Sequence, residues 1–110
     1  MRLIGLKNCD TCKKALKELA ADGWDVEFCD VRGEAFDSEL QKEILLNFNE
    51  KTLNRASTTW RGLDEMERQK DPKDLLAAHP TLMKRPVIEH DGTWTLGWKD
   101  DAKAQWLGAR

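Results

Sequence analysis

A short apolar run, Leu3 to Leu6, passes through Lys7-Asn8-Cys9-Asp10-Thr11-Cys12-Lys13-Lys14 into a helical pattern that starts near Asp10. The chain therefore carries a Cys-x-x-Cys pair at a strand-to-helix junction, and the rest of the fold has to be built around it. A cysteine at the mouth of a helix faces unpaired backbone N–H groups and the positive end of the helix dipole, and both favour thiolate over thiol. Such a thiolate attacks sulfur or another electrophile at neutral pH. Cys12, three residues on, lies one helical turn deeper and can close an internal disulfide. Cys9 is the candidate nucleophile and Cys12 the candidate resolving thiol.

The helix reads from about Asp10 to Ala21, with Cys12, Ala15, Leu16, Leu19 and Ala20 on one face and Gly23 as its stop. Residues 25 to 31 read as a second strand, with Val26, Phe28, Cys29 and Val31 as inward candidates, so the first forty residues form a βαβ unit with parallel strands. The middle of the chain changes character. Ser38-Glu39-Leu40-Gln41 is a capping box ahead of a Leu40, Ile44, Leu45, Phe48 stripe. A helical pattern covers roughly Leu63 to Gln69, and Asp71-Pro72 opens another helix that runs to about Ala78. Residues 36 to 79 are thus a helical insertion; within it Leu53 to Arg61 has little periodicity but carries two arginines, three hydroxyls and a tryptophan. Asp91-Gly92 is a hairpin turn between strands at residues 86 to 90 and 93 to 98, and Asp100 to Leu107 is a closing helix ended by Gly108.

With 110 residues the chain is one domain. Eighteen basic and twenty acidic residues give a formal charge of −2, which removes the electrostatic case for nucleic-acid binding or a membrane surface. No apolar stretch is long enough to span a bilayer, and Met1 to Gly5 runs straight into the first strand without a signal-peptide core, so a cytoplasmic monomer is expected. Three cysteines make no disulfide framework; a lone Cys-x-x-Cys beside a βα pattern reads as redox chemistry. Structural zinc would need four ligands, and Cys29, His79 and His90 form no second close pair, so no metal is expected. Cys29, in a strand among apolar residues, reads as a buried and inert thiol. Lys7, Lys13 and Lys14 are placed to lower the Cys9 pKa or to hold a substrate carboxylate, but a solvated helix face is the commoner outcome for each, because exposed charges are screened and Asp10, which reads as a simple cap, opposes them.

The chain resembles the arsenate reductase-like (ArsC) family, and more closely its Spx/YffB branch. The residues that carry the likeness are Lys7-Asn8-Cys9-Asp10-Thr11 with Lys13-Lys14-Ala15, then Thr58-Thr59-Trp60-Arg61, then Leu82-Met83-Lys84-Arg85-Pro86-Val87. Cys12 is more like the redox pair of the Spx regulators. The resemblance implies an α/β, thioredoxin-like fold with a four-stranded mixed sheet, in which residues 1 to 35 and 80 to 110 form the core around the insertion. It implies Cys9 as nucleophile, a cis Pro86 facing the thiol, and Arg61 and Arg85 in two of the three oxyanion-binding arginine positions. Lys99 stands near the third, and an ammonium does not reproduce the planar fork that suits a tetrahedral anion. This favours a thiol substrate.

The expected activity is that of a thiol-dependent oxidoreductase without a tightly bound cofactor, a thiol/disulfide or arsenate-type reductase acting on a small thiol or oxyanion with glutathione as cosubstrate. Lys7, Asn8, Arg61, Arg85 and Pro86 are the candidate substrate-binding residues; glutaredoxin or a protein disulfide are further candidate partners. The rival is a non-enzymatic Spx-like switch, in which a Cys9–Cys12 bond alters contact with RNA polymerase or another protein.

Overall fold

The computed structural model describes residues 1 to 108. Strand β1 (Arg2–Gly5) pairs parallel with β2 (Glu27–Asp30) and antiparallel with β3 (Val87–His90), which pairs antiparallel with β4 (Thr93–Leu96). The result is a four-stranded mixed sheet in the order β2-β1-β3-β4.

Side chains alternate across a strand, so the register Leu3 opposite Ile88 and Ile4 opposite Val87 sends one apolar pair to each face. All four are completely buried. Both faces of the central strands are covered, which is why residues 3 to 6 read as an unbroken apolar run rather than an alternating one.

On the first face lie α1 (Asp10–Ala21) and α6 (Asp100–Trp106), which set Cys12, Ala15, Leu19, Ala102 and Trp106 against Leu3 and Ile88. Ala20, expected on the buried side of α1, is exposed. Indole N–H groups tie this layer together: Trp98 donates to Glu18 and Trp106 to Thr95, both at 2.7 Å, and Trp24 to the Trp106 carbonyl at 3.0 Å. Gly23, at φ 92°, ends α1 as expected, in a backbone conformation that favours glycine.

The second face is covered by the insertion: α2 (Ser38–Phe48), α3 (Thr58–Arg61), α4 (Glu65–Arg68) and α5 (Pro72–Ala78), with 3-10 turns at Asn49–Thr52 and Pro80–Leu82. Leu40, Ile44, Leu53, Leu75, Leu76, Leu82 and Met83 pack there with Ile4, Cys29, Val31 and Val87. Each fully buried leucine in these layers contributes about 1.5–3 kcal/mol. No helix among the described residues is long and apolar enough to cross a membrane.

Three local readings change. The cap of α2 is Asp37, not Ser38: the Asp37 carboxylate accepts from the Leu40 N–H at 2.9 Å, and the Gln41 side chain donates to the Phe36 carbonyl at 3.0 Å. Either residue type can cap, and the acidic side chain one position earlier wins the first turn. The segment without periodicity contains α3, capped by Ser57 Oγ accepting from the Trp60 N–H at 3.1 Å; one turn is too short to show a repeat. The Leu63 to Gln69 pattern shrinks to α4 because Asp64 caps at Glu67 N–H, 2.8 Å.

Candidate active site

The chain leaves β1 at Gly5 and turns back on itself, with the Cys9 N–H donating to the Leu6 carbonyl at 3.2 Å. Cys9 is the residue in front of α1, with extended backbone angles, and its carbonyl accepts the first helical N–H, from Lys13, at 3.0 Å. Asp10, read from sequence as a cap, is instead the first residue of the helix. The Cys9 sulfur makes no cap hydrogen bond of ordinary geometry, so the first-turn N–H groups act on it as oriented dipoles. Cys9 is partly exposed, whereas Cys12 has no accessible surface.

The two thiols are driven apart in acidity. Partial burial alone would raise the Cys9 pKa, but the Cys12 N–H, the Cys12 thiol and the Arg85 guanidinium together outweigh it, and the pKa falls below the ordinary 9.0. Burial pushes Cys12 up to about 12, and the facing Cys9 sulfur adds to the rise against an opposing Leu6 N–H. Of the two, Cys9 is therefore the group that ionises first and Cys12 the one that keeps its proton and donates it. Cys29 belongs to the opposite layer, and burial raises its pKa, in keeping with an inert thiol.

Arg85 reaches the site from the segment before β3. The Arg85–Pro86 peptide is cis, as the resemblance implied, and Pro86 is buried with its carbonyl accepting from the Gly97 N–H at 2.8 Å. Arg85 Nη1 donates to the Thr81 carbonyl at 2.9 Å, while its Nε is buried without a partner. An unsatisfied buried donor on a cation is costly.

A cleft of about 510 Å³ opens next to this arginine, lined by Thr11 of α1, by Lys51, Asn54, Lys84 and Arg85, and by residues 96 to 99 with Asp101. Four of these side chains are basic against one acidic. Lys99, the lysine that stands where the resemblance would expect a third arginine, also lines the cleft. Lys51 and Asn54 carried no sequence signal. They arrive because residues 52 to 54 pair with residues 82 to 84: the Lys84 N–H donates to the Thr52 carbonyl at 2.8 Å and the Asn54 N–H to the Leu82 carbonyl at 2.7 Å. Such convergence of distant segments leaves no trace in local pattern.

The remaining sequence candidates lie as follows. Lys7 and Asn8 are exposed in the loop ahead of Cys9, and Lys13 and Lys14 are exposed on α1. None of the three lysines is among the groups that act most strongly on Cys9. Arg61 is exposed, donates to the Ala56 carbonyl at 3.0 Å, and does not line the cleft. Trp60 is held by Arg55 and Arg68, with their guanidinium carbons 5.4 and 5.5 Å from its ring centroid, and it too stands outside the cleft lining. His79 pairs with Glu67 at 2.9 Å, and His90 meets Trp24 edge to face; neither is near the thiols in any contact. A second groove of the same volume, about 510 Å³, runs between α2 and α5 and is lined by no cysteine. Among the described residues no three His, Cys, Asp or Glu side chains gather as metal ligands.

Residues 4–105 match the ArsC family model. A Haemophilus influenzae protein without an assigned function is 40% identical over 103 residues, which cover 89% of this chain and 90% of that one. Among solved structures, a YffB protein shares 36% identity over 97% of this chain and 98% of its own, with a TM-score of 0.87. An arsenate reductase (ArsC) related protein from Brucella melitensis shares 39% over 94% and 90%, with a TM-score of 0.74. These similarities confirm the thioredoxin-like fold. A helix-mouth thiol beside a cis-proline arginine, held in this sheet order and matched along nearly the whole length, places the chain as a member of the ArsC family.

Proposed function

We propose that the protein is a thiol-dependent oxidoreductase that uses glutathione as cosubstrate and Cys9 as nucleophile. The observation that carries this reading is the separation of the two thiols: a partly exposed Cys9 whose pKa is lowered in part by Arg85, itself a residue of the basic cleft, backed by a Cys12 held protonated. Likeness to proteins named as arsenate reductase related supports the redox class.

The step is thiol–disulfide exchange. The Cys9 thiolate attacks the glutathione sulfur of a mixed disulfide, the S–S bond breaks, and the other thiol leaves as thiolate. A second glutathione thiolate then attacks the glutathione sulfur bound to Cys9, releasing oxidised glutathione and restoring Cys9. External glutathione suits this second step better than Cys12, because only a thiolate attacks and Cys12 holds its proton. Arg85 and the cleft lysines would receive the glutathione carboxylates. Lys7, Asn8 and Arg61 remain proposed contacts at the rim, and a glutaredoxin or a protein disulfide would meet the same sulfur. A cytoplasmic setting, where glutathione is abundant and reduced, fits this reading.

The test is turnover of a small glutathione mixed disulfide with glutathione supplied and arsenate run in parallel, for wild type and Cys9→Ser. Turnover that disappears with Cys9 is expected. No turnover of either substrate would overturn the enzymatic reading and leave the Spx-like switch, whose Cys9–Cys12 bond requires the same juxtaposed pair.

A further inference from the structure

Gly5 closes β1 directly beneath the thiol pair. Its backbone lies outside the positive-φ region, so chain conformation gives no reason for glycine there. Space does. A Cβ at this position would stand 2.5 Å from Cys12 Sγ, far inside contact distance, whereas the other near atoms, Cys12 Cβ at 3.5 Å and Leu3 Cδ2 at 3.6 Å, would accept it at ordinary separations. One sulfur atom alone therefore excludes a side chain from residue 5.

We propose that Gly5 is a positioning residue for the thiol pair: the missing Cβ is the seat of Cys12 Sγ, and that seat keeps the Cys12 thiol turned toward Cys9. The proposal rests on the reading of Cys9 as a nucleophilic thiolate. On the sides away from Gly5 the sulfur meets the Leu6 N–H and Cys9, so it is enclosed by backbone on one side and its redox partner on the other. Cys12 lies on a helix, where the staggered wells for the Cα–Cβ bond are few. A methyl in the seat leaves the sulfur one escape, rotation about that bond into another well, and rotation removes the donor from Cys9. The helix and sheet can survive this because only the end of a short side chain moves.

The test is a double-mutant cycle on Gly5→Ala, Cys12→Ala and the pair, read as the pH midpoint of iodoacetamide alkylation at Cys9, located by peptide mass, with thermal unfolding alongside. Cys12→Ala should move the midpoint to higher pH by removing the donor. Gly5→Ala should move it the same way, and the double variant should match Cys12→Ala, since without the sulfur the added methyl meets nothing closer than ordinary contact. If Gly5→Ala does not fold, the double variant should, because Cys12→Ala empties the collision; failure to rescue would overturn the seat. A low midpoint in wild type that Gly5→Ala leaves unchanged would overturn the proposal while sparing the reading of Cys9. A wild-type midpoint at the ordinary thiol value would instead sink that reading, together with the purpose assigned to the seat.

Discussion

The two faces of the sheet supply different halves of the site. The α1 face brings the thiols: Cys9 in front of the helix and Cys12 inside the layer with Leu3, Ile88 and Trp98. The loops that border the insertion face bring most of the charge: Arg85 and Lys84 ahead of β3 and Lys51 after α2, with the neutral Asn54 beside them. The first half comes from one continuous stretch and is fixed by local backbone, since the same turn that starts α1 sets the position of Cys9. The second half is assembled from segments some thirty residues apart and is fixed by cross-chain hydrogen bonds such as Lys84 N–H to the Thr52 carbonyl. Nucleophilicity is thus a local property here, and substrate selection a tertiary one.

This division can be broken from the thiol side first. Cys9→Ser should abolish turnover, a loss of several orders of magnitude measured as kcat/KM, because no second accessible thiol stands in the site; residual turnover within tenfold of wild type would mean the chemistry lies elsewhere. Arg85→Ala is the next largest effect. Arg85 joins the halves, lowering the Cys9 pKa and offering an anion donor, so losing it should cost about 1.5–3 kcal/mol, roughly ten- to a hundredfold in kcat/KM, with the alkylation midpoint of Cys9 shifted upward. Arg85→Lys should restore the midpoint in part but not the binding, since an ammonium keeps the charge and loses the fork.

Smaller effects sharpen the charge side. Lys84→Ala and Lys99→Ala should each raise KM for glutathione a few-fold, leave kcat and the Cys9 midpoint unchanged, and lose their effect as salt rises, because both side chains are exposed and screened. Steady-state kinetics at low and high salt reads this. A separate effect is read in stability rather than in turnover. A raised folded-state pKa stabilises the fold below the unfolded value and loses that contribution as pH climbs through the folded one; for Cys12 the window is 9.0 to about 12. Urea unfolding should therefore show wild type losing stability across this range faster than Cys12→Ala. Cys9 has the opposite sign, its lowered pKa adding stability above the ordinary thiol value that disappears as pH falls through the lowered one.

The same division explains what could be read before the fold was known. Strand β1, helix α1 and the thiol pair are legible because their signals are contiguous: an apolar run, a period of about 3.6, and a spacing of one turn. The hairpin shows because Asp91 and Gly92 adopt the two positive-φ positions that only such residues favour. The insertion was harder. Short helices such as Thr58–Arg61 and Glu65–Arg68 have no second turn in which to repeat, and a serine beside an aspartate leaves the cap of α2 ambiguous by one residue. Family likeness singled out Arg61 and Arg85 together, yet one is exposed at the end of α3 and the other acts on the thiol. Local sequence does not say which of two arginines the tertiary fold will bring to a cysteine. Nor does it reveal Lys51, whose place depends on a strand-like bridge between Leu53 and Met83.

The most direct test of the central claim is the pH dependence of alkylation at Cys9 in the wild-type protein, resolved by peptide mass from Cys12 and Cys29. The account predicts that Cys9 reacts first, with a midpoint below the ordinary thiol value of 9.0, while Cys12 and Cys29 stay unmodified until far higher pH or unfolding. A Cys9 midpoint at or above that value, or Cys12 reacting alongside it, would contradict the assignment of nucleophile and donor.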